Sequence, residues 1–183
     1  AQAPTAGQAS AMPKRKLGKT GAEVSILNLG GMFDTINNQL LLKQAMKWGV
    51  TMWDTAESYG NGLSEEGMGR FFARNPEARK EIFLVTKVHQ AKDISDLTER
   101  LNKGLKRLQT DHVDLFFIHA ITGIGDMKPA YKDWAAEMKK AGELPAGLVL
   151  KISVLMGPAN PLSVRWMEQL GAGTYNVPTD LTL

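Results

Sequence analysis

The sequence predicts an α/β fold in which helices cover a parallel β-sheet. Short apolar runs alternate with helical patterns four times between residues 25 and 141. These runs are hydrophobic almost throughout, as is typical of parallel strands that are buried on both faces. No Gly-x-Gly-x-x-Gly motif follows the first run, which argues against a Rossmann phosphate loop. The repeat alone does not distinguish a closed barrel from an open sheet.

The elements can be followed in order along the chain. A β-hairpin is predicted first, because Gly18-Lys19-Thr20-Gly21 joins two short apolar stretches between Lys16 and Val24. Apolar runs predict four strands: Ser25–Leu29, Val50–Trp53, Ile82–Val85 and Val113–Ile118. Helical spacing and end signals predict four helices: Asn38–Trp48, Ser64–Arg74, Ser95–Leu108 and Pro129–Ala141.

Two of these helices carry more detailed predictions. In the second helix, Ser64 is expected to be the N-cap, with Glu65 and Glu66 in the first turn. The first helix is expected to bury one apolar face, made of Leu41, Leu42, Ala45 and Met46.

The composition is that of an ordinary globular protein, and it excludes several kinds of site. Hydrophobic residues make up 43% and charged residues 22% of the 183 residues, which argues against a disordered chain. Because there is no cysteine, disulfides, zinc–thiolate sites, iron–sulfur clusters and a cysteine nucleophile are excluded. We predict no metal site. No apolar run approaches the roughly 18 to 20 residues of a membrane span.

The amino-terminal part is small, polar and then basic. Residues 1–12 are expected to form a flexible leader, which is either the mature end left by removal of an export signal or an artificial start. A cytoplasmic location is favoured, and an exported protein whose signal has been removed is the alternative. The cluster Lys14, Arg15, Lys16 and Lys19 is interpreted as a solvated surface, since the net charge is only +3. We therefore predict neither a nucleic-acid nor a membrane partner.

Polar residues follow the predicted strands at the points where the strands end. Asp54 follows the second strand, and Tyr59 comes five residues later. Lys87 follows the third strand, and His119 follows the fourth. The carboxyl ends of barrel strands open on one face, where catalytic side chains gather. We therefore expect these four residues to converge.

The chemistry of the four side chains is complementary. An ammonium beside a phenol favours release of the phenolic proton, and a carboxylate keeps the ammonium charged and in place. Tyr59 is thus a candidate general acid, Lys87 its activating neighbour and Asp54 the anchor. His119 would orient a carbonyl oxygen or relay the proton. This set suits carbonyl reduction, in which hydride reaches carbon while Tyr59 protonates oxygen.

Each of these residues also has a purely structural interpretation. Asp54 would cap a turn, Tyr59 would pack in a loop and Lys87 would extend its stem along a strand end. His119 would be a histidine whose hydrogen bonds are satisfied within the core. That all four should be structural at matching strand ends is the less favoured interpretation.

Three stretches closely resemble the aldo-keto reductase family: WDTAESYGNGLSEEGMGRFF, FLVTKV and DLFFIHA. The opening KLGKTGAEVSILNLGG resembles it as well, so the resemblance covers about residues 13–142. It implies a (β/α)8 TIM barrel, of which these residues would form the first four to five β/α units behind an N-terminal β-hairpin. It also implies reduction of a small aldehyde or ketone, with NADPH or NADH as the hydride donor.

The resemblance assigns roles residue by residue. Asp54, Tyr59, Lys87 and His119 match the family's catalytic tetrad. Gly31 and Met32, after the first barrel strand, match the surroundings of the nicotinamide, which Asp54 also adjoins. His89 and His112 match no family role and are interpreted as surface or packing residues.

Residues 143–183 are predicted to form a divergent tail. The tail is expected to hold a fifth strand at Leu148–Leu155 and a short helix at Leu162–Leu170, with no residues left for strands six to eight. In the family, phosphate contacts come mostly from loops after strands seven and eight. We therefore expect weak cofactor binding by these 183 residues.

Three hypotheses follow. In the first, the chain is a fragment of a carbonyl reductase that is active only when another copy completes the barrel by self-association through the open edge. In the second, it is a non-catalytic binding or regulatory half-barrel. The third is a frameshifted, non-functional product. Codons for Gly147–Lys151 exist that encode Phe-Ser-Thr-Gln when read two bases later, as the family carries after strand five. On that hypothesis Leu144–Leu183 packs poorly, and the coding DNA tests it.

Overall fold

The computed structural model describes residues 12–18, 20–89 and 91–120, and beyond them residues 133, 137, 140–141, 150–152 and 172–175. The strands are β1 (Lys14–Lys16), β2 (Glu23–Ser25), β3 (Asn28–Gly30), β4 (Met52–Asp54), β5 (Phe83–His89), β6 (Leu115–His119), β7 (Leu150–Ile152) and β8 (Ala172–Tyr175). The helices are α1 (Gln39–Lys47), α2 (Leu63–Arg74), α3 (Pro76–Glu81) and α4 (Ile94–Leu108). None of these helices is long and apolar enough to cross a membrane.

A parallel sheet with the strand order β3-β4-β5-β6 forms the centre of the fold. A helical segment lies between each strand and the next, as the alternating pattern predicts. In the register of the sheet, Gly30 lies opposite Asp54, Asp54 opposite Val85 and His89 opposite His119. The prediction of an α/β fold with a parallel sheet is therefore confirmed.

The amino-terminal hairpin is also confirmed, but the first strand of the sheet begins later than predicted. β1 and β2 pair antiparallel, with Lys16 opposite Glu23. Ser25 ends β2, and its hydroxyl accepts backbone N–H bonds from Thr51 at 3.0 Å and Met52 at 3.1 Å. The predicted strand Ser25–Leu29 is thus wrong at its start, because Ser25 ties the hairpin to β4 and the sheet strand starts at Asn28.

Helix α1 buries a narrower face than predicted. Leu42 and Ala45 are buried and Met46 is partly buried against the same cluster. Leu41 is 44% exposed, so its predicted place on the buried face is wrong. The buried residues follow spacings of three and four from Leu42, and Leu41 lies at the margin of that stripe.

Helix α2 begins one residue before the predicted start. Gly62 precedes it with φ at +89°, a conformation that glycine adopts readily. The prediction that Ser64 is the N-cap is wrong, because Ser64 lies inside the helix and is 2% exposed. Its hydroxyl donates to the Gly31 carbonyl at 2.7 Å and lies 2.7 Å from the Thr55 hydroxyl. The side chain thus joins α2 to the ends of β3 and β4.

The main core lies between the sheet and its helices. Trp53 is fully buried at its centre, with ring centroids 5.2 Å from Phe71 and 5.8 Å from Phe72. The indole N–H donates to the Val50 carbonyl at 2.8 Å, so the one polar atom of the side chain is satisfied. The buried members are Leu42, Ala45, Val50, Trp53, Met68, Phe71, Phe72, Ile82, Leu84 and Leu108.

Helices α2 and α4 approach each other closely around a buried ion pair. A Cβ added at Gly69 would lie 2.0 Å from the Arg107 carbonyl oxygen. Glu65 is 1% exposed and accepts from the Arg107 guanidinium at 2.7 Å and from the Thr86 hydroxyl at 2.6 Å. A Cβ at Gly104 would lie 3.0 Å from the Glu65 carboxylate. Small residues on both helices thus make room for a charged pair that links α2, α4 and β5.

Some of the elements predicted after residue 120 include residues that the structure describes. Leu150–Ile152 is a strand inside the predicted fifth strand, and Asp133, Glu137 and Lys140 are helical within the predicted helix Pro129–Ala141. The expectation that no strand follows the fifth is wrong, because Ala172–Tyr175 pairs in parallel with β7. Its sequence, AGTY, has too few apolar residues to be recognised as a strand. The predicted helix Leu162–Leu170 and the predicted poor packing of the remaining tail lie outside the described residues, as do residues 1–11 of the predicted leader.

Candidate active site

The carboxyl ends of β4, β5 and β6 bring the four predicted catalytic side chains together. Asp54 is the last residue of β4, His119 is the last residue of β6, and Lys87 lies two residues before the end of β5. Tyr59 lies in the loop between β4 and α2, where its N–H donates to the Ala56 carbonyl at 3.1 Å. Because the strands are parallel, these residues share one end of the sheet.

Lys87 contacts two of the other three residues directly. Its ammonium donates to the Asp54 carboxylate, to the Thr55 carbonyl at 2.9 Å and to the Tyr59 hydroxyl at 3.2 Å. The three donors of the ammonium therefore each have an oxygen acceptor. The Lys87 side chain is 12% exposed and that of Asp54 is 20% exposed. A phenol that accepts from an ammonium keeps its own O–H free for another acceptor.

His119 lies beside Tyr59 and next to a second histidine. The Tyr59 and His119 rings meet edge to face with centroids 6.0 Å apart, and the His89 ring lies 4.6 Å from that of His119. Among the described side chains, Nδ1 of His119 is buried with no hydrogen-bond partner. Burial lowers the pKa of His119 below its ordinary 6.5, His89 and Lys87 add to the effect, and Asp54 opposes it.

This lowered pKa predicts a loss of stability in mild acid. Below pH 6.5 the unfolded chain binds a proton at His119 more readily than the folded chain, so the free energy of unfolding should fall as the pH decreases from there towards the folded pKa. The change His119→Asn removes the titrating ring and should flatten this dependence. Urea unfolding at a series of pH values measures it. An equal slope in both proteins would contradict the prediction.

The two residues expected beside a nicotinamide differ in exposure. A Cβ at Gly31 would lie 2.7 Å from the Asp54 carbonyl and the Met68 Cε, and 2.8 Å from the Ser64 hydroxyl. The glycine is therefore required by packing between β3, β4 and α2. Met32, by contrast, is 80% exposed at this end of the sheet. Their role in cofactor binding stays a prediction.

The two histidines interpreted as surface or packing residues occupy opposite ends of the sheet. His112 precedes β6 at the amino end, and its ring pairs with the Asp111 carboxylate at 2.7 Å. His89 ends β5 and is exposed, but its ring lies against His119 at the candidate site. The sequence feature that could have indicated the nearness of His89 to the site is its position two residues after Lys87, at the end of a strand.

Three other residues near the site were not predicted to belong to it. Thr55 and Glu57 lie between Asp54 and Tyr59, and both contact β5. Glu65 supports β5 through Thr86, the residue before Lys87. Thr55, Glu57 and Glu65 all lie in the segment DTAESYGNGLSEE, so membership of this motif is the sequence feature that could have indicated them.

The arrangement can donate a proton from a phenol that is fixed beside a buried ammonium. The ring of His119 lies edge to face with that of Tyr59, so two side chains that can form hydrogen bonds lie side by side at this end of the sheet. Within the described part of the chain, no group of three or more histidine, cysteine or acidic residues is placed to hold a metal ion.

Comparison with known proteins points to one family. The model of the aldo/keto reductase family matches residues 28–155. The NADP(+) aldo-keto reductase yakc of Schizosaccharomyces pombe is 38% identical over 97 residues, which are 47% of this chain and 28% of that protein. A putative voltage-gated potassium channel subunit beta from the same organism is 34% identical over 136 residues, 65% of this chain and 40% of that protein.

A solved structure shares the fold. The aldo-keto reductase AKR11C1 from Bacillus halodurans, in its holo form, superposes with a TM-score of 0.63 at 28% identity, covering 72% of this chain and 47% of that one. This likeness confirms that the parallel sheet is part of a (β/α)8 barrel.

The matches cover less than half of each known protein, but the family match covers well over half of this chain. This chain spans between 28% and 47% of the length of these three proteins. The expectation that the resemblance ends near residue 142 is wrong, because the family match continues to residue 155 and includes Gly147–Lys151. Because residues 28–155 are well over half of the 183 residues, the chain belongs to the aldo/keto reductase family.

Proposed function

We propose that this chain carries the proton-donating site of an NAD(P)H-dependent carbonyl reductase, which converts an aldehyde or ketone to an alcohol. The observation that carries the proposal is the Lys87 ammonium, which contacts the Asp54 carboxylate and lies 3.2 Å from the Tyr59 hydroxyl. A charged pair that is largely shielded from water acts more strongly on a neighbouring phenol than the same pair would in water. Membership of the aldo/keto reductase family supports the same reaction.

Each residue has a distinct part in this proposal. Tyr59 donates its proton to the carbonyl oxygen as the alcohol forms. Lys87 stabilises the negative charge that remains on the phenolic oxygen, and Asp54 holds Lys87 in place. His119, whose ring lies edge to face with the ring of Tyr59, orients the substrate oxygen. Its lowered pKa keeps the ring neutral at neutral pH, so it acts as a hydrogen-bonding group and not as a cation.

The residues at this end of the sheet fit a reduced nicotinamide cofactor. His119 offers a buried nitrogen without a partner among the described residues, and Met32 offers an exposed apolar side chain after β3. When bound, NADPH or NADH would supply hydride to the carbonyl carbon. The relative that is named for NADP(+) favours NADPH. Gly31, Met32 and Asp54 are the residues proposed to adjoin it.

The test is an assay of the protein with NADPH and with NADH against a panel of aldehydes and ketones. We expect cofactor oxidation that requires the carbonyl compound and is matched by formation of the alcohol. A parallel reaction without the carbonyl compound is the control. Cofactor binding without alcohol formation from any member of the panel would contradict the proposal.

A second candidate is a binding or regulatory module. It is favoured by the relative that is named as a potassium channel beta subunit. On this alternative the protein binds a nicotinamide cofactor but reduces no carbonyl compound. Self-association through an open barrel edge stays a prediction under either candidate, and the molecular mass in solution tests it.

A further inference from the structure

The loop that carries Tyr59 is attached to β5 by its backbone. The N–H of Thr55 donates to the Val85 carbonyl at 2.8 Å, and the N–H of Glu57 donates to the Lys87 carbonyl at 3.1 Å. The chain thus continues to pair with β5 after β4 has ended. Tyr59 follows two residues beyond the last of these bonds.

The side chain of Glu57 adds a second attachment at the end of β5. Its carboxylate accepts the backbone N–H of His89 at 3.2 Å. The same carboxylate receives two bonds from the Arg100 guanidinium of α4, one of them from Nε at 3.0 Å. A two-point pair between arginine and a carboxylate fixes direction as well as distance. Glu57 therefore joins the Tyr59 loop, β5 and α4.

This ion pair is shielded from water and is itself held in place. The side chains of Glu57 and Arg100 are 16% and 24% exposed. Asp96 lies one helical turn before Arg100 at 3.7 Å, and its carboxylate also accepts the Lys92 N–H at 2.9 Å. Partly buried, two-point pairs of this kind hold their geometry better than exposed pairs.

We propose that Glu57 is a positioning residue that holds the Tyr59 hydroxyl beside Lys87, with Arg100 as its fixed counter-ion. The inference rests on the proposed function, because Glu57 would position Tyr59, the proton donor of that function. Glu57 is attached to β5 at Lys87 and at His89, so it holds the Tyr59 loop on the part of β5 that contacts Tyr59. A displacement of about 1 Å in a reacting group lowers a rate by up to roughly 10².

The first test measures the structure of the site by the magnetic resonance signals of its histidine rings and needs no enzyme activity. The chain has three histidines, of which His89 and His119 lie at the site and His112 lies at the other end of the sheet. In Glu57→Gln the amide places a donor against the Arg100 guanidinium. We expect the ring proton resonances of His89 and His119 to shift and those of His112 to stay unchanged. Unchanged signals of all three rings in the folded variant would overturn the proposal.

A matched control lies on the same helix. Glu99 pairs with Lys103 at 2.6 Å on the surface of α4, where their side chains are 63% and 59% exposed. Glu99→Gln therefore removes one carboxylate from an ion pair of α4 without touching the Tyr59 loop. We expect it to leave all three histidine signals unchanged. Shifts of the His89 and His119 signals in this control equal to those in Glu57→Gln would overturn the proposal.

The second test measures kcat and KM for carbonyl reduction. We expect Glu57→Gln to lower kcat by about ten- to a hundredfold with little change in KM, and to lower it no further in a protein that already carries Tyr59→Phe. An equal loss in both backgrounds would show that Glu57 does not act through Tyr59. If the unchanged protein reduces no carbonyl compound, the proposed function fails, and the histidine signals still decide whether Glu57 holds the loop.

Discussion

The change Tyr59→Phe should lower the turnover of carbonyl reduction by a factor of roughly 10² to 10⁴, which is the usual contribution of a general acid. The phenylalanine ring keeps the edge-to-face contact with His119 but has no proton to donate. It also removes the oxygen that lies 3.2 Å from the Lys87 ammonium. KM for the carbonyl compound should change little, because the lost interaction matters mainly in the transition state.

The measurement is kcat and KM for the best substrate of the panel, with thermal unfolding recorded on the same samples. Ser58→Ala is a matched control, since it removes the hydroxyl of the residue beside Tyr59 in the same loop. We expect that control to keep most of its activity. Turnover of Tyr59→Phe within a few fold of the unchanged protein would exclude Tyr59 as the proton donor.

The change Trp53→Ala should lower the free energy of unfolding by about 3 to 5 kcal/mol, as expected for removal of a large aromatic side chain from a core. Trp53 is completely buried and packs against Phe71 and Phe72. Its loss also leaves the Val50 carbonyl without the indole N–H. Because Asp54 follows directly, the cavity would lie next to the anchor of the candidate site.

Trp48 provides the matched control. It is 59% exposed at the end of α1, so Trp48→Ala should change the free energy of unfolding by about 0.5 kcal/mol or less. Urea unfolding followed by circular dichroism measures both variants. Losses of similar size in the two proteins would show that the core is not centred on Trp53.

The sequence was sufficient to predict which end of the sheet holds Asp54, Lys87 and His119, although Lys87 lies inside β5 and does not follow the strand as predicted. Each follows or ends an apolar run, and the carboxyl ends of parallel strands meet at one end of the sheet. Tyr59 required more, since a loop residue is placed by its turn and not by strand periodicity. Here the family motif supplied what the pattern of hydrophobic residues does not contain.

Contacts between residues far apart in the chain were not predictable in the same way. Ser64 has the residue type and position of a helix N-cap, but tertiary contacts with Gly31 and Thr55 take its hydroxyl. Nothing in the local sequence identifies the partners of Glu57 and Glu65, because Arg100 and Arg107 come from a later helix. Local spacing describes a helix face, whereas these pairs depend on how the helices are packed.

The close contact of α2 and α4 restricts which substitutions this protein can accept one at a time. Gly104 leaves room for the Glu65 carboxylate, and Gly69 leaves room for the Arg107 backbone. A larger residue at 104 would push against Glu65, whereas a shorter side chain at 65 would leave Arg107 without its buried acceptor. Mutational tolerance at either position therefore depends on the residue present at the other. In evolutionary terms the two positions are epistatic, and lineages that replace this ion pair are expected to change both together.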